Sequence, residues 1–144
     1  MPNDEIDTAL LTLLAENARM PVATMARRMG LARTTVQARL DKLESNGTIA
    51  GYTLRLGTMM RPRLRATVLL SVEPHVNAAI LSRLKTQSQV ETVHTASGRF
   101  DLIVNLAADT TEELDTVLDR ICDAQGVRSS ESLIHLSTKI DRST

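Results

Sequence analysis

Aromatic side chains are almost absent from this 144-residue chain: one Tyr, one Phe and no Trp. Any core must therefore be built from Leu, Ile, Val, Ala and Met. A sheet that reads RNA by stacking bases needs aromatics on its strands, and only Phe100, at a strand start, is on offer. Cysteine occurs once, as Cys122, so no disulfide framework exists within the chain. Cys122 lies on an apolar helical stripe and reads as a core thiol. The three histidines, His75, His94 and His135, have no metal-ligand spacing. P-loop, dinucleotide and nucleophile-elbow signatures are missing. No enzyme, cofactor or metal site is expected. No apolar run reaches membrane-spanning length. The opening MPNDEIDTALL is acidic where a signal peptide is basic. A cytoplasmic protein without a membrane partner is expected.

Net charge is also lacking, with 17 basic and 17 acidic residues. Its distribution is uneven. Residues 1–18 carry −4, residues 19–65 carry +8, and residues 66–144 carry −4. A basic block inside a neutral chain points to a local anionic partner, and nucleic acid is the usual one.

That block contains the stretch GLARTTVQARLDKLESNG, from Gly30 to Gly47. Val36, Leu40 and Leu43 follow helical spacing and form one apolar stripe. Two further helices are expected before it. One has Ile6, Leu10, Leu13 and Leu14 on one face, with Asn3 or Asp4 as its cap. The other starts after Pro21 and carries Val22, Met25, Ala26 and Met29. Ala26 at the helix crossing, Gly30 at the turn and Val36 as anchor have the spacing of a helix–turn–helix.

The second helix of such a motif enters the major groove with its N-terminal residues near base edges. Arg33, Thr34 and Gln37 point away from the apolar stripe and are expected to read bases. Arg suits guanine, and Gln suits adenine. Arg28, Thr35 and Arg39 are expected to touch phosphate, which positions without specifying. Ala32 stands where a capping Ser, Thr or Asp is preferred.

Residues 51–62 read as an extended linker. From Arg63 the apolar period switches to two. Leu64, Ala66, Val68, Leu70 and Val72 share one face of a strand. A helix with Val76, Ile80, Leu81 and Leu84 follows. Two strands joined at Gly98-Arg99 come next. The next helix has Thr110 and Glu113 at capping-box spacing and Leu114, Leu118, Ile121 and Cys122 inward. The last strand is expected to place Ile134, Leu136 and Ile140 on one face. The order strand–helix–strand–strand–helix–strand is the split βαβ, ferredoxin-like arrangement. Two helices cover one face of such a sheet. Leu69, Ile103 and Leu133 on the other face suggest a second subunit or a neighbouring domain.

The fold class expected is thus α+β: a three-helix, winged-type helix–turn–helix domain over residues 1–50, a linker over 51–62, and a ferredoxin-like βαββαβ sandwich over 63–144.

The whole resembles the Lrp/AsnC, or feast/famine, family of transcriptional regulators. The resemblance rests on Ile6-Asp7, Leu10-Leu11, Asn17-Ala18-Arg19, Met25-Ala26, Gly30-Leu31, Arg39-Leu40, Leu43-Glu44 and Gly47-Thr48-Ile49-Ala50-Gly51-Tyr52. It extends to the turn Gly98-Arg99-Phe100-Asp101. Ala32 and Pro21 depart from the family's usual polar residues. The resemblance implies homodimers assembling into octamers or other rings of dimers. It implies binding of double-stranded promoter DNA, including the protein's own upstream region. It also implies an amino-acid-like effector between dimers, which carries over to Gly98, Arg99, Phe100 and Asp101. Gly98 would let backbone N–H groups approach a carboxylate, and Asp101 would hold an ammonium group. The plainer alternative is a hairpin turn in which Asp101 merely hydrogen-bonds local backbone. An effector-independent architectural DNA-binding protein is the alternative for the whole.

Overall fold

The computed structural model describes residues 2–143. They form two compact units, one of residues 2–55 with Arg142 and Ser143, the other Leu56–Asp141.

The first unit has three helices: α1 (Pro2–Glu16), α2 (Val22–Met29) and α3 (Arg33–Ser45). α1 already runs from Pro2, so Asn3 and Asp4 fall inside its first turn rather than before it. Their side chains lie outside the described residues. The apolar stripes meet in one cluster of Leu10, Leu14, Met25, Ala26, Val36 and Leu43. Each such side chain taken fully from water contributes about 1.5–3 kcal/mol. Gly30 ends α2 at φ 67°, and the Leu31 N–H donates back to the Ala26 carbonyl at 2.9 Å. This left-handed stop needs glycine and closes the turn between α2 and α3. After α3 no strand pairing forms until Leu64. The winged-type expectation thus corresponds to an irregular segment, not a hairpin.

Tyr52 fastens the start of that segment. Its hydroxyl donates to Glu44 Oε1 at 2.9 Å, reaching back to the last turn of α3. Partial burial, the Glu44 bond and the Glu44 charge all raise the phenol above its ordinary value of 10.0. A raised phenol stabilises the fold at pH below 10, and that contribution is lost as pH rises through the folded value. The chain has one Tyr and no Trp. Tyrosinate absorbance therefore reports this group alone. We expect its midpoint above 10, and a smaller elevation in Glu44→Gln. An unshifted midpoint would remove the Tyr52–Glu44 tie.

The second unit follows the order β1 (Leu64–Val72), α4 (Asn77–Lys85), β2 (Val90–Thr95), β3 (Leu102–Ala108), α5 (Thr111–Cys122), β4 (Val127–Ile134). A 3-10 turn, Pro74–Val76, leads into α4. The sheet order is β2-β3-β1-β4, with every adjacent pair antiparallel. This is the expected ferredoxin-like sandwich. Ala66, Val68, Leu70 and Val72 of β1 and Leu102, Val104, Leu106 and Ala108 of β3 form the buried face. Ile80 and Leu84 of α4 cover it, with Leu114, Val117 and Ile121 of α5. Val117 is the inward residue the helical spacing passed over. Thr110 caps α5, its hydroxyl accepting the Glu113 N–H at 3.1 Å. The Glu113 carboxylate accepts from Gln89 and from the Asp109 N–H, which holds it below the usual carboxylate range.

One expectation fails at the C-terminus. β4 ends at Ile134, and Leu136 and Ile140 stand 96% and 72% exposed. The last backbone tie to β1 is His135 N–H to the Arg65 carbonyl at 2.9 Å. β1 itself begins at Leu64. In the β1–β4 register Leu136 falls opposite Leu64, the first residue of β1, and Ile140 falls beyond its start.

Candidate nucleic-acid interface and effector turn

Helix α3 divides sharply by face. Val36 and Leu43 are buried, while Arg33, Thr34, Thr35 and Gln37 are all exposed along its first turns. Ala32, at the N-cap, offers no side-chain bond to the first turn. The exposed donors of that turn are left to water or to an anion. Arg33 forms no ion pair among the described residues. Gln37 donates one amide hydrogen to Asp41 Oδ1 at 2.8 Å. Its second hydrogen and its oxygen remain for an adenine edge.

Two of the expected phosphate contacts are engaged within the fold. Arg28 lies 3.7 Å from Glu16, with both side chains more than half exposed. Such a pair contributes little and exchanges readily for a phosphate. Arg39 is different. It pairs with Asp7 of α1 at 3.6 Å, with only 20% and 23% of the two side chains exposed. It fastens α3 to α1 and does not share the open face of Arg33 and Gln37. Its position signals this, three residues after Val36 and four before Leu43, at the edge of the apolar stripe.

In the second unit, residues 96–101 close the β2–β3 connection. Ala96 N–H donates to the Asp101 carbonyl at 2.9 Å, and Asp101 N–H donates to the Leu70 carbonyl at 2.8 Å. The Asp101 carboxylate accepts the Val72 N–H at 2.9 Å. The β1–β4 register slips between Ser71 and Val72, and the carboxylate takes the N–H beside that slip. The Asp101 carboxylate is thereby bound to the backbone of β1, and not to the local turn backbone of its plainer reading. Gly98 adopts φ 122° with open space where a side chain would stand. Arg99 lies over the Phe100 ring at 5.1 Å and 3.7 Å from Glu131 of β4. Ser130 and Ser132 pair with Leu70 and Val68 and fall on the opposite side of β4 from Glu131.

Asp101→Ala is expected to lose about 1–3 kcal/mol, because the Val72 N–H forfeits an ionised acceptor. Asp101→Asn keeps an acceptor oxygen and should lose less. Urea unfolding of both variants checks this, and equal stability of all three chains would remove the tie.

The face of the sheet away from α4 and α5 holds a polar ladder that sequence reading missed. Asn105 donates to Thr92 at 2.8 Å, Thr67 donates to Asn105 Oδ1 at 3.0 Å, and His135 Nε2 lies 2.8 Å from the Thr67 hydroxyl. Leu69 pairs with Ile103 beside it, and Leu133 is 47% exposed. Period-two parity could have placed Thr67 and Asn105 on one face. His135 lies past the last strand and gave no such signal.

A three-helix unit with an open basic recognition helix, followed by a ferredoxin-like sandwich, defines a DNA-binding regulator with a separate ligand-binding domain. Family comparison agrees over both parts. An AsnC-type helix-turn-helix domain matches residues 4–44, and the Lrp/AsnC ligand binding domain matches residues 65–144. The chain belongs to the Lrp/AsnC family of transcriptional regulators. It is 27% identical over 136 residues to the HTH-type transcriptional regulator FL11 of Pyrococcus abyssi, covering 94% of this chain and 90% of that one. Among solved structures, E. coli AsnC superposes with TM-score 0.87 at 20% identity over 97% and 96% of the two chains. The feast or famine regulatory protein of M. tuberculosis, complexed with L-methionine, superposes with TM-score 0.84 at 28% identity over 98% and 97%. Among the described residues no helix is long and apolar enough to cross a membrane.

Proposed function

We propose that this chain is a sequence-specific regulator of promoter DNA, its own upstream region included, tuned by an amino acid or a related small molecule. One observation carries the reading: α3 buries its apolar stripe against α2 while exposing Arg33, Thr34, Thr35 and Gln37 as one face. Arg33 and Gln37 read base edges, Thr34 adds to them, and Thr35 and Arg28 hold phosphate. Arg39 keeps α3 in place.

The effector binds at the turn Gly98–Asp101. Open space beside Gly98 supports this site, and the L-methionine complex of the M. tuberculosis relative supports an amino acid as the ligand. In this reading the Gly98 backbone and the Arg99 and Phe100 side chains meet the ligand. Asp101 holds the turn that carries them. The chain works as a homodimer assembling into a ring of dimers, with the apolar and polar-ladder face of the sheet against a second copy.

The test is a gel shift of the protein's own upstream DNA against a random fragment, at two salt concentrations, with and without each of the twenty amino acids. Preference for upstream DNA that shifts with one amino acid supports the whole reading. Preference without any response leaves a DNA-binding regulator whose effector is absent or of another kind. Equal binding to both fragments would overturn sequence specificity. Light scattering at micromolar concentration tests assembly, and a monomer would overturn it.

A further inference from the structure

Residues 45–72 hold four arginines and no acidic residue. The four do not have the same surroundings. Arg65 on β1 is paired with Glu91. Arg55, Arg61 and Arg63 are exposed and form no ion pair among the described residues. Arg61 is also held in place. The Met60 and Arg61 N–H groups donate to the Gly57 carbonyl at 3.0 and 3.2 Å, forming a tight turn. The Arg61 Nε donates to the Leu56 carbonyl at 2.6 Å. The Nε of the guanidinium is tied to its own turn, and its terminal amino groups form no ion pair among the described residues. Pro62 fixes the backbone immediately after it.

We propose that Arg55, Arg61 and Arg63 form a second DNA contact, made to phosphates flanking the site read by α3. This rests on the DNA-binding reading above and adds a partner surface outside the helix–turn–helix. Three observations favour phosphate as the ligand. A guanidinium ordered before binding loses little freedom when it meets an anion. Its terminal amino groups, in no ion pair among the described residues, suit the paired acceptor oxygens of a phosphate. No carboxylate in the segment competes for it.

Chain length permits the contact. Ile49 packs on the core of the first unit. Arg55 is then at most about 20 Å of extended chain away, and Arg61 at most about 40 Å. The segment over 51–57 is neither helix nor strand. It lacks a regular element to fill the major groove, so its contacts act on affinity and not on sequence choice.

The experiment is fluorescence anisotropy of the full chain on two labelled duplexes, the upstream site and a random sequence, across a salt series. The triple variant R55Q/R61Q/R63Q is measured beside the unaltered chain, and light scattering follows the assembly of both. Each lost phosphate contact should lower the slope of log K against log salt by about 0.9. We expect a loss approaching three contacts on both duplexes, with the preference for the upstream site and the assembly unchanged. An unchanged slope overturns the linker contact alone. A slope that falls only with loss of assembly also overturns it. If the unaltered chain binds neither duplex, the DNA-binding reading itself fails.

Discussion

Gly126→Ala is expected to destabilise the second unit by on the order of 3 kcal/mol, from backbone strain and overpacking together. Gly126 adopts φ 94°, a conformation that residues with a Cβ rarely take. A Cβ built there would stand 2.1 Å from Val76 Cγ2 and 2.9 Å from Val76 Cβ. Valine is branched at Cβ and has little rotamer freedom with which to withdraw. The backbones cannot separate freely either, because the Glu73 N–H donates to the Gly126 carbonyl at 2.9 Å. That bond ties the turn before β4 to the segment between β1 and α4. Gly98→Ala supplies the comparison. Gly98 also has positive φ, at 122°, but a Cβ there would meet nothing within 4 Å. Its loss should be confined to strain, about 1–2 kcal/mol. Urea midpoints of the two variants measure the difference. Equal losses would show that the Val76 contact relaxes and that strain alone sets the effect.

Such contacts mark the boundary of what the sequence could disclose. The stripe Val22, Met25, Ala26 and Met29 and the alternation from Leu64 to Val72 were legible because burial follows the period of the element that carries it. Gly30 and Thr110 were legible because a stop and a cap are local chemistry. Leu136 and Ile140 misled for a related reason. Their alternation is real, but a strand also needs a partner: Leu136 falls opposite the very first residue of β1, and Ile140 falls beyond its start. Asp101 could be located but its task could not. The N–H it accepts belongs to Val72, 29 residues earlier, beside a register slip that leaves no mark in composition. The Arg39–Asp7 pair was not legible, because Asp7 reaches Arg39 only once α1 has packed. The tethered guanidinium of Arg61 depends likewise on a turn whose geometry leaves no mark in the residue pattern.

Arg33→Ala should weaken binding to the preferred promoter site by about 10- to 100-fold, since a good bidentate contact to guanine is worth about 1–3 kcal/mol of discrimination. Arg33 is suited to the task because it begins α3, is exposed, and has no carboxylate partner among the described residues. On random DNA the same substitution removes only one positive charge, and the loss should be severalfold at most. Arg39→Ala should behave in the opposite way. It leaves Asp7 without its cation in a setting where 23% of that side chain is exposed. Stability should fall, by about 1–3 kcal/mol, while the preference between duplexes is kept by the molecules that remain folded. Anisotropy on both duplexes, beside urea unfolding of both variants, separates the two roles. An Arg33→Ala loss of equal size on both duplexes would make Arg33 a phosphate contact, and base reading would then fall to Gln37 and Thr34. In that case Asp41 becomes the informative neighbour. It holds one Gln37 hydrogen at 2.8 Å. Asp41→Asn would free that amide of an anionic partner and should strengthen binding to both duplexes by removing a negative charge from the DNA-facing helix.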